Sequence, residues 1–137
     1  MSKSPTCVSP KEVGDWIVNR PDEISIVDVR DVDFFGDKVV GSRNIPHNAP
    51  LAYFDLFAKE MKNRPIVPKR IFFHCNLCED RGPTTAEMFI RRCQNILPNT
   101  EICYIEGGWQ GWKNYYKDDP TFIEPIPREE SDSESED

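Results

Sequence analysis

No apolar run in this sequence approaches the roughly 18 to 20 residues that a membrane-spanning helix needs, so no membrane partner is expected. The first residues, Met1-Ser2-Lys3-Ser4-Pro5, lack the continuous apolar stretch of a secretory signal. A reducing intracellular compartment, cytoplasmic or nuclear, is the expectation. A disulfide framework is also missing. Cys7, Cys75, Cys78, Cys93 and Cys103 are odd in number and irregular in spacing, which leaves room for a reactive thiol. Surplus positive charge is absent as well, since 17 Lys and Arg face 24 Asp and Glu for a net −7 over 137 residues. The segment 128–137 holds one basic and six acidic side chains, a net −5, which leaves −2 for the rest. Without a clustered basic surface to displace counterions from a phosphate backbone, nucleic acid is not an expected partner. No metal site is expected either.

What is present reads as one α/β domain over residues 5–126, followed by an acidic tail, 127–137, too polar to bury apolar surface and expected to be disordered. Ser9-Pro10-Lys11-Glu12 is in capping-box order and predicts a helix, with Val13, Trp16 and Ile17 on its inner face. Ile24 to Val29 alternates as a strand, and 34–50 is mostly loop with room for one short strand near Asn44 and Ile45. Leu51, Phe54, Phe57, Ala58 and Met61 keep helical spacing. Ile71-Phe72-Phe73-His74 reads as a central strand covered on both faces. A second amphipathic helix follows over 83–93, then a strand over 101–105 and a helix over 109–116. Alternating strands and helices predict a three-layer domain with a mainly parallel sheet.

Between the buried strand and the helix lies Cys75-Asn76-Leu77-Cys78-Glu79-Asp80-Arg81-Gly82, a cysteine and an arginine separated by five residues. A loop running from a parallel strand into a helix N-terminus points several amides and the positive end of a helix dipole at one place, where a tetrahedral oxyanion binds. The same field lowers the pKa of a thiol, so Cys75 is the expected nucleophile. Arg81 can grip two oxyanion oxygens at once. Cys7, Cys93 and Cys103 are expected to be small buried hydrophobes. His74 either orients the loop or is a hydrogen-bonded residue at a strand end, and Trp109 and Trp112 read as core.

Phe73-His74-Cys75, five residues, then Arg81-Gly82-Pro83 resembles the active-site signature of the M-phase inducer phosphatases and their relatives, the eukaryotic arsenate reductases. Val27-Asp28-Val29-Arg30 with Gly41-Ser42-Arg43-Asn44-Ile45-Pro46 is similar to the upstream motif of the wider rhodanese superfamily. Glu106-Gly107-Gly108-Trp109-Gln110-Gly111-Trp112 is similar to the downstream one. The resemblance spans residues 9–116 and implies a rhodanese-like fold. Val39 and Val40 stand where the upstream motif commonly has histidine and isoleucine, and Cys78, Glu79 and Asp80 depart from the usual loop. Rhodanese sulfurtransferases usually have a loop one residue shorter, so this length implies room for phosphate or arsenate.

The resemblance implies a cysteine-dependent phosphatase, for phosphotyrosine or of dual specificity, in which Cys75 attacks phosphorus. Asn76, Leu77, Cys78, Glu79, Asp80 and Arg81 form the phosphate loop; Asp80 and Glu79 are the nearest acids in sequence to protonate the leaving group, and Asp80 is the candidate. No cofactor is then needed, the partner is a phosphoprotein, and the chain is a monomer by default. The alternative is an arsenate reductase using the same loop with glutathione and glutaredoxin, and a further one is a sulfurtransferase or a non-catalytic rhodanese binding module. Asp28 and Arg30 read as a structural pair. Cys78 is either a small loop residue or a redox partner that traps oxidised Cys75, and Ser131, Ser133 and Ser135 resemble sites for an acid-directed kinase.

Overall fold

The central strands are built from residues that alternate between two buried faces. In the computed structural model, which describes residues 4–77 and 80–127, strand β1 (Thr6–Val8) is followed by helix α1 (Pro10–Asn19) and strand β2 (Ile24–Asp28). Two short strands come next, β3 (Asp37–Val39) and β4 (Arg43–Asn44), then helix α2 (Leu51–Lys62), strand β5 (Arg70–His74) and helix α3 (Arg81–Cys93). The order closes with β6 (Glu101–Ile105), α4 (Gly108–Tyr116) and β7 (Ile123–Pro125). On β5, Ile71 and Phe73 turn to a core shared with Phe54, Phe57, Ala86 and Phe89 of α2 and α3. Phe72 turns to the opposite core, with Val13, Trp109 and Trp112 of α1 and α4. A strand buried on both faces must be almost wholly apolar, as 71–73 is.

The five-stranded sheet runs β1-β6-β5-β2-β4, and every pair in it is parallel. Its central register sets Asp28 beside His74, so the carboxyl ends of β2 and β5 finish together. The Ser9 hydroxyl accepts the Glu12 N–H at 3.1 Å, which is the capping interaction that the serine-proline start requires. Among the described residues, no helix is long and apolar enough to cross a membrane.

Several expectations change. The stretch 34–50 carries two strands rather than one, because β3 pairs antiparallel with β7 more than 80 residues later, a long-range partner that a local pattern cannot reveal. The β1 edge strand was likewise not expected. Helix α3 starts at Arg81, two residues before the expected Pro83, which puts the loop arginine in the first helical turn. Cys7 is exposed rather than buried, because it lies on the edge strand, which has a neighbour on one side only. Cys93 and Cys103 are buried as expected. The tail positions Ser131, Ser133 and Ser135 lie outside the described residues.

Gly14 lets α1 approach α4. A methyl group there meets the Tyr116 hydroxyl, which cannot simply move away. That hydroxyl donates to the Pro10 carbonyl at 2.7 Å, and its ring stacks on Phe122 at 4.0 Å between centroids. Overpacking costs about 1–3 kcal/mol, against roughly 1 kcal/mol of helix propensity that alanine regains over glycine. Gly14→Ala should therefore lower the urea midpoint. An unchanged or raised midpoint would show that the α1–α4 contact is loose.

Candidate active site

Strand β5 delivers Cys75 to the end of the sheet, where it is 2% exposed. The chain returns as α3, and the Gly82 N–H in its first turn donates to Cys75 Sγ at 3.2 Å. An amide aimed at sulfur from a helix N-terminus favours the negative sulfur over the neutral thiol. A second helix holds the loop from behind. The Trp109 N–H donates to the Cys75 carbonyl at 2.8 Å and the Gln110 N–H to the Asn76 carbonyl at 2.9 Å. The Gln110 side-chain amide adds a bond to Asn76 Oδ1 at 3.1 Å. These are among the first amides of α4, which have no partners within their own helix. They become available where Gly107, with φ of 77°, turns the chain into the helix. A side chain at Gly107 would also press on the Gly111 backbone.

The upstream motif forms the floor. Asp28 and Arg30 are both buried, and Arg30 Nη2 lies 2.8 Å from Asp28 Oδ2 with Nε bonded to the same carboxylate. The guanidinium sits over the Phe34 and Trp109 rings, at 5.2 and 5.1 Å from their centroids. Arg30 thus joins the floor to the helix that clamps the loop. His74 is buried, its Nδ1 is 3.2 Å from the Cys75 carbonyl, and its Nε2 is 3.7 Å from Asp28 Oδ2. His74 is thus a hydrogen-bonded residue at the end of β5 whose ring also touches the loop backbone, so both readings of it describe the same contact.

Arg81 turns toward two acids that sequence reasoning did not single out. Its Nη2 is 2.7 Å from Asp33 Oδ2, and its Nη1 is within 3.2 Å of both Asp33 Oδ1 and Asp31 Oδ1. The bond from Arg81 holds the Asp33 carboxyl down at about 2 against the opposing cost of burial. Arg81 is in turn held above its ordinary value, first by that bond and further by the charges of Asp33, Cys75 and Asp31. The pair therefore contributes its stability above the ordinary carboxylate value of 3.8 and loses it as the pH falls toward about 2. Behind Asp31 stands His47, with Nε2 at 3.1 Å from Oδ2. The signal in the sequence was two acids at 31 and 33 just past a strand that ends beside the cysteine strand.

Asp80 precedes α3 as an exposed residue, and its Oδ1 accepts from the Thr84 hydroxyl at 3.4 Å. It borders an open depression of about 270 Å³ with Arg81, His47, Leu51 and Met88. A second one, about 300 Å³, lies on the other flank among Asp33, Phe35, Asn76, Trp109 and Lys113. Leu77 is exposed, and Cys78 and Glu79 lie outside the described residues, so neither a loop contact nor a disulfide partner is assigned to them. Burial pushes the Cys93 thiol up to about 11 and the Cys103 thiol up to about 12, which keeps both protonated and inert at neutral pH. No group of side chains suited to hold a metal ion occurs among the described residues.

A parallel α/β sheet with a cysteine loop at its carboxyl edge is the architecture of the rhodanese-like domain, whose family model matches residues 9–115; the chain belongs to that family. It is 31% identical over 135 residues to the dual specificity phosphatase ibp1 of Schizosaccharomyces pombe, covering 85% of this chain and 94% of that protein. It is 23% identical over 119 residues to arsenical-resistance protein 2 of Saccharomyces cerevisiae, covering 81% and 90%. The fold is also that of the As-Sb reductase from Leishmania major, with a TM-score of 0.78 at 22% identity over 97% of this chain and 98% of that one.

The Asp28–Arg30 pair yields a direct test of the floor. Asp28→Ala leaves a buried guanidinium without its counter-charge and should cost about 3–5 kcal/mol in urea unfolding. A loss below about 1 kcal/mol, the range of an exposed pair, would contradict the burial assigned to it.

Proposed function

We propose that this chain is a cysteine-dependent phosphatase, acting on phosphotyrosine or with dual specificity, within one domain over residues 5–126. The observation that carries the proposal is the bond from the Gly82 amide to Cys75 Sγ at the start of the helix that holds Arg81. The Cys75 thiolate attacks phosphorus while the P–O ester bond breaks, and a cysteinyl-phosphate forms. Amides of the loop from Asn76 to Arg81, together with the Arg81 side chain, bind the equatorial oxygens. The leaving oxygen takes a proton from a general acid, and water then attacks phosphorus to release phosphate and restore the thiolate.

Asp80 is our candidate for that acid, since it is exposed on the same depression as Arg81. Asp33 is unsuited to the task, because a carboxyl held at about 2 by its arginine carries no proton at neutral pH. The reaction needs no cofactor. The open depressions on both flanks would admit a side chain presented by a protein surface, so the substrate we propose is a phosphoprotein.

A second reading is arsenate reduction, supported by the likeness to proteins named as an arsenical-resistance protein and an As-Sb reductase. Arsenate has the charge and shape of phosphate, and the same cysteine would form the thiol adduct. Glutathione with glutaredoxin would then supply the two electrons that reduce arsenic.

A paired assay separates these readings. Wild type and Cys75→Ser are compared on an aryl phosphate, on phosphopeptides, on arsenate with glutathione and glutaredoxin, and on thiosulfate with cyanide. Aryl phosphate and phosphopeptide turnover, lost on substitution, is the expected result. Phosphatase turnover that survives Cys75→Ser would overturn the mechanism, and turnover of thiosulfate alone would make the chain a sulfurtransferase.

A further inference from the structure

The phosphatase reading leaves Asp31 and Asp33 without a task, although they make the strongest contacts of Arg81. We propose that Asp33, seconded by Asp31, is a positioning residue that fixes the Arg81 guanidinium so that its Nε–Nη2 edge is the one offered to the substrate oxyanion. The inference rests on the reading of Arg81 as the oxyanion-binding side chain.

The donor arithmetic leads there. A guanidinium has five N–H donors in one plane. Nη1 reaches Asp31 Oδ1 at 3.2 Å and Asp33 Oδ1 at 3.1 Å, and Nη2 reaches Asp33 Oδ2 at 2.7 Å. Asp33 therefore occupies the end of the fork. The Nε–H and the second Nη2–H lie parallel along the side edge, where no acceptor among the described residues meets them. Two parallel donors are what a bidentate grip on an oxyanion requires.

The carboxylates are themselves held in place, as a positioning device must be. The Val32 N–H donates to Asp31 Oδ1 at 2.7 Å and the Asp31 N–H to Asp33 Oδ1 at 3.1 Å. His47 meets the other Asp31 oxygen. Farther along, the Ile126 N–H donates to the Gly36 carbonyl at 2.8 Å, so the β3–β7 pair anchors the far end of this loop. A free arginine would lose rotamer entropy on binding an anion. Here the folded loop has already met that cost.

An opposing effect gives the test its sign. Two carboxylates near an anion site repel the anion, so removing one should tighten anion binding if charge dominates and weaken it if orientation dominates. The carboxylates lie in direct contact with Arg81, which neutralises the nearer of them, and orientation is the larger effect.

The full chain is compared as wild type, Asp33→Asn, Arg81→Lys and the double variant, with turnover of para-nitrophenyl phosphate and inhibition by orthovanadate as readouts. Asp33→Asn should lower kcat/KM by about tenfold or more, weaken vanadate inhibition in parallel, and have little further effect once lysine, which cannot fill the fork, replaces Arg81. Asp31→Asn, which removes one bond and leaves the fork, should act in the same direction but less. Unchanged or tighter vanadate inhibition in Asp33→Asn would overturn the inference, and so would an equal loss in the Arg81→Lys background. Full turnover by Arg81→Lys would instead overturn the phosphatase reading on which the inference rests.

Discussion

The Trp109 amide bonded to the Cys75 carbonyl is the contact on which the rest of the site depends. A loop between a strand and a helix has no ladder of its own to hold it, and its carbonyls need donors once they are buried. The start of α4 supplies those donors in a row, to Cys75 and then to Asn76, while the start of α3 supplies one to the cysteine sulfur. Two helix N-termini thus face one short loop from different sides. One fixes its backbone and the other sets the field at the Cys75 sulfur.

The contact also explains why three segments far apart in the chain belong to one site. Trp109 gives its amide to the loop and its ring to Arg30, and Arg30 is locked to Asp28 at the end of β2. Parallel pairing sets Asp28 beside His74, the residue before the cysteine. A buried ion pair is seldom a gain in stability over apolar packing. Its value here lies in orientation, since one guanidinium is shared among a carboxylate, two aromatic rings and the Asp37 carbonyl.

Much of this was legible in the sequence where the cause is local. The unbroken apolar stretch of β5, the capping serine of α1 and the cysteine-to-arginine spacing each follow from neighbouring residues. Asp28 and Arg30 were legible as a pair through the resemblance of their segment to the upstream rhodanese motif, and two charges buried at the end of a strand do need each other. The β3–β7 pair was not, because its two halves are joined only after the whole domain is built. The Arg81–Asp33 bond was hidden for the same reason: 48 residues separate partners that meet only when β2 and β5 end side by side. Cys7 misled because a free cysteine is usually a small buried hydrophobe, and only the sheet order shows that its strand is an edge.

The central claim is that the Cys75 sulfur is the atom that accepts the transferred phosphoryl group. Rapid acid quench during turnover of an aryl phosphate, followed by mass mapping of the peptide that carries Cys75, tests it most directly. The account predicts a phosphate adduct on Cys75, formed within the first turnover and cleared as substrate is consumed. Turnover with no adduct on Cys75, or with an adduct on Cys7 instead, would contradict it.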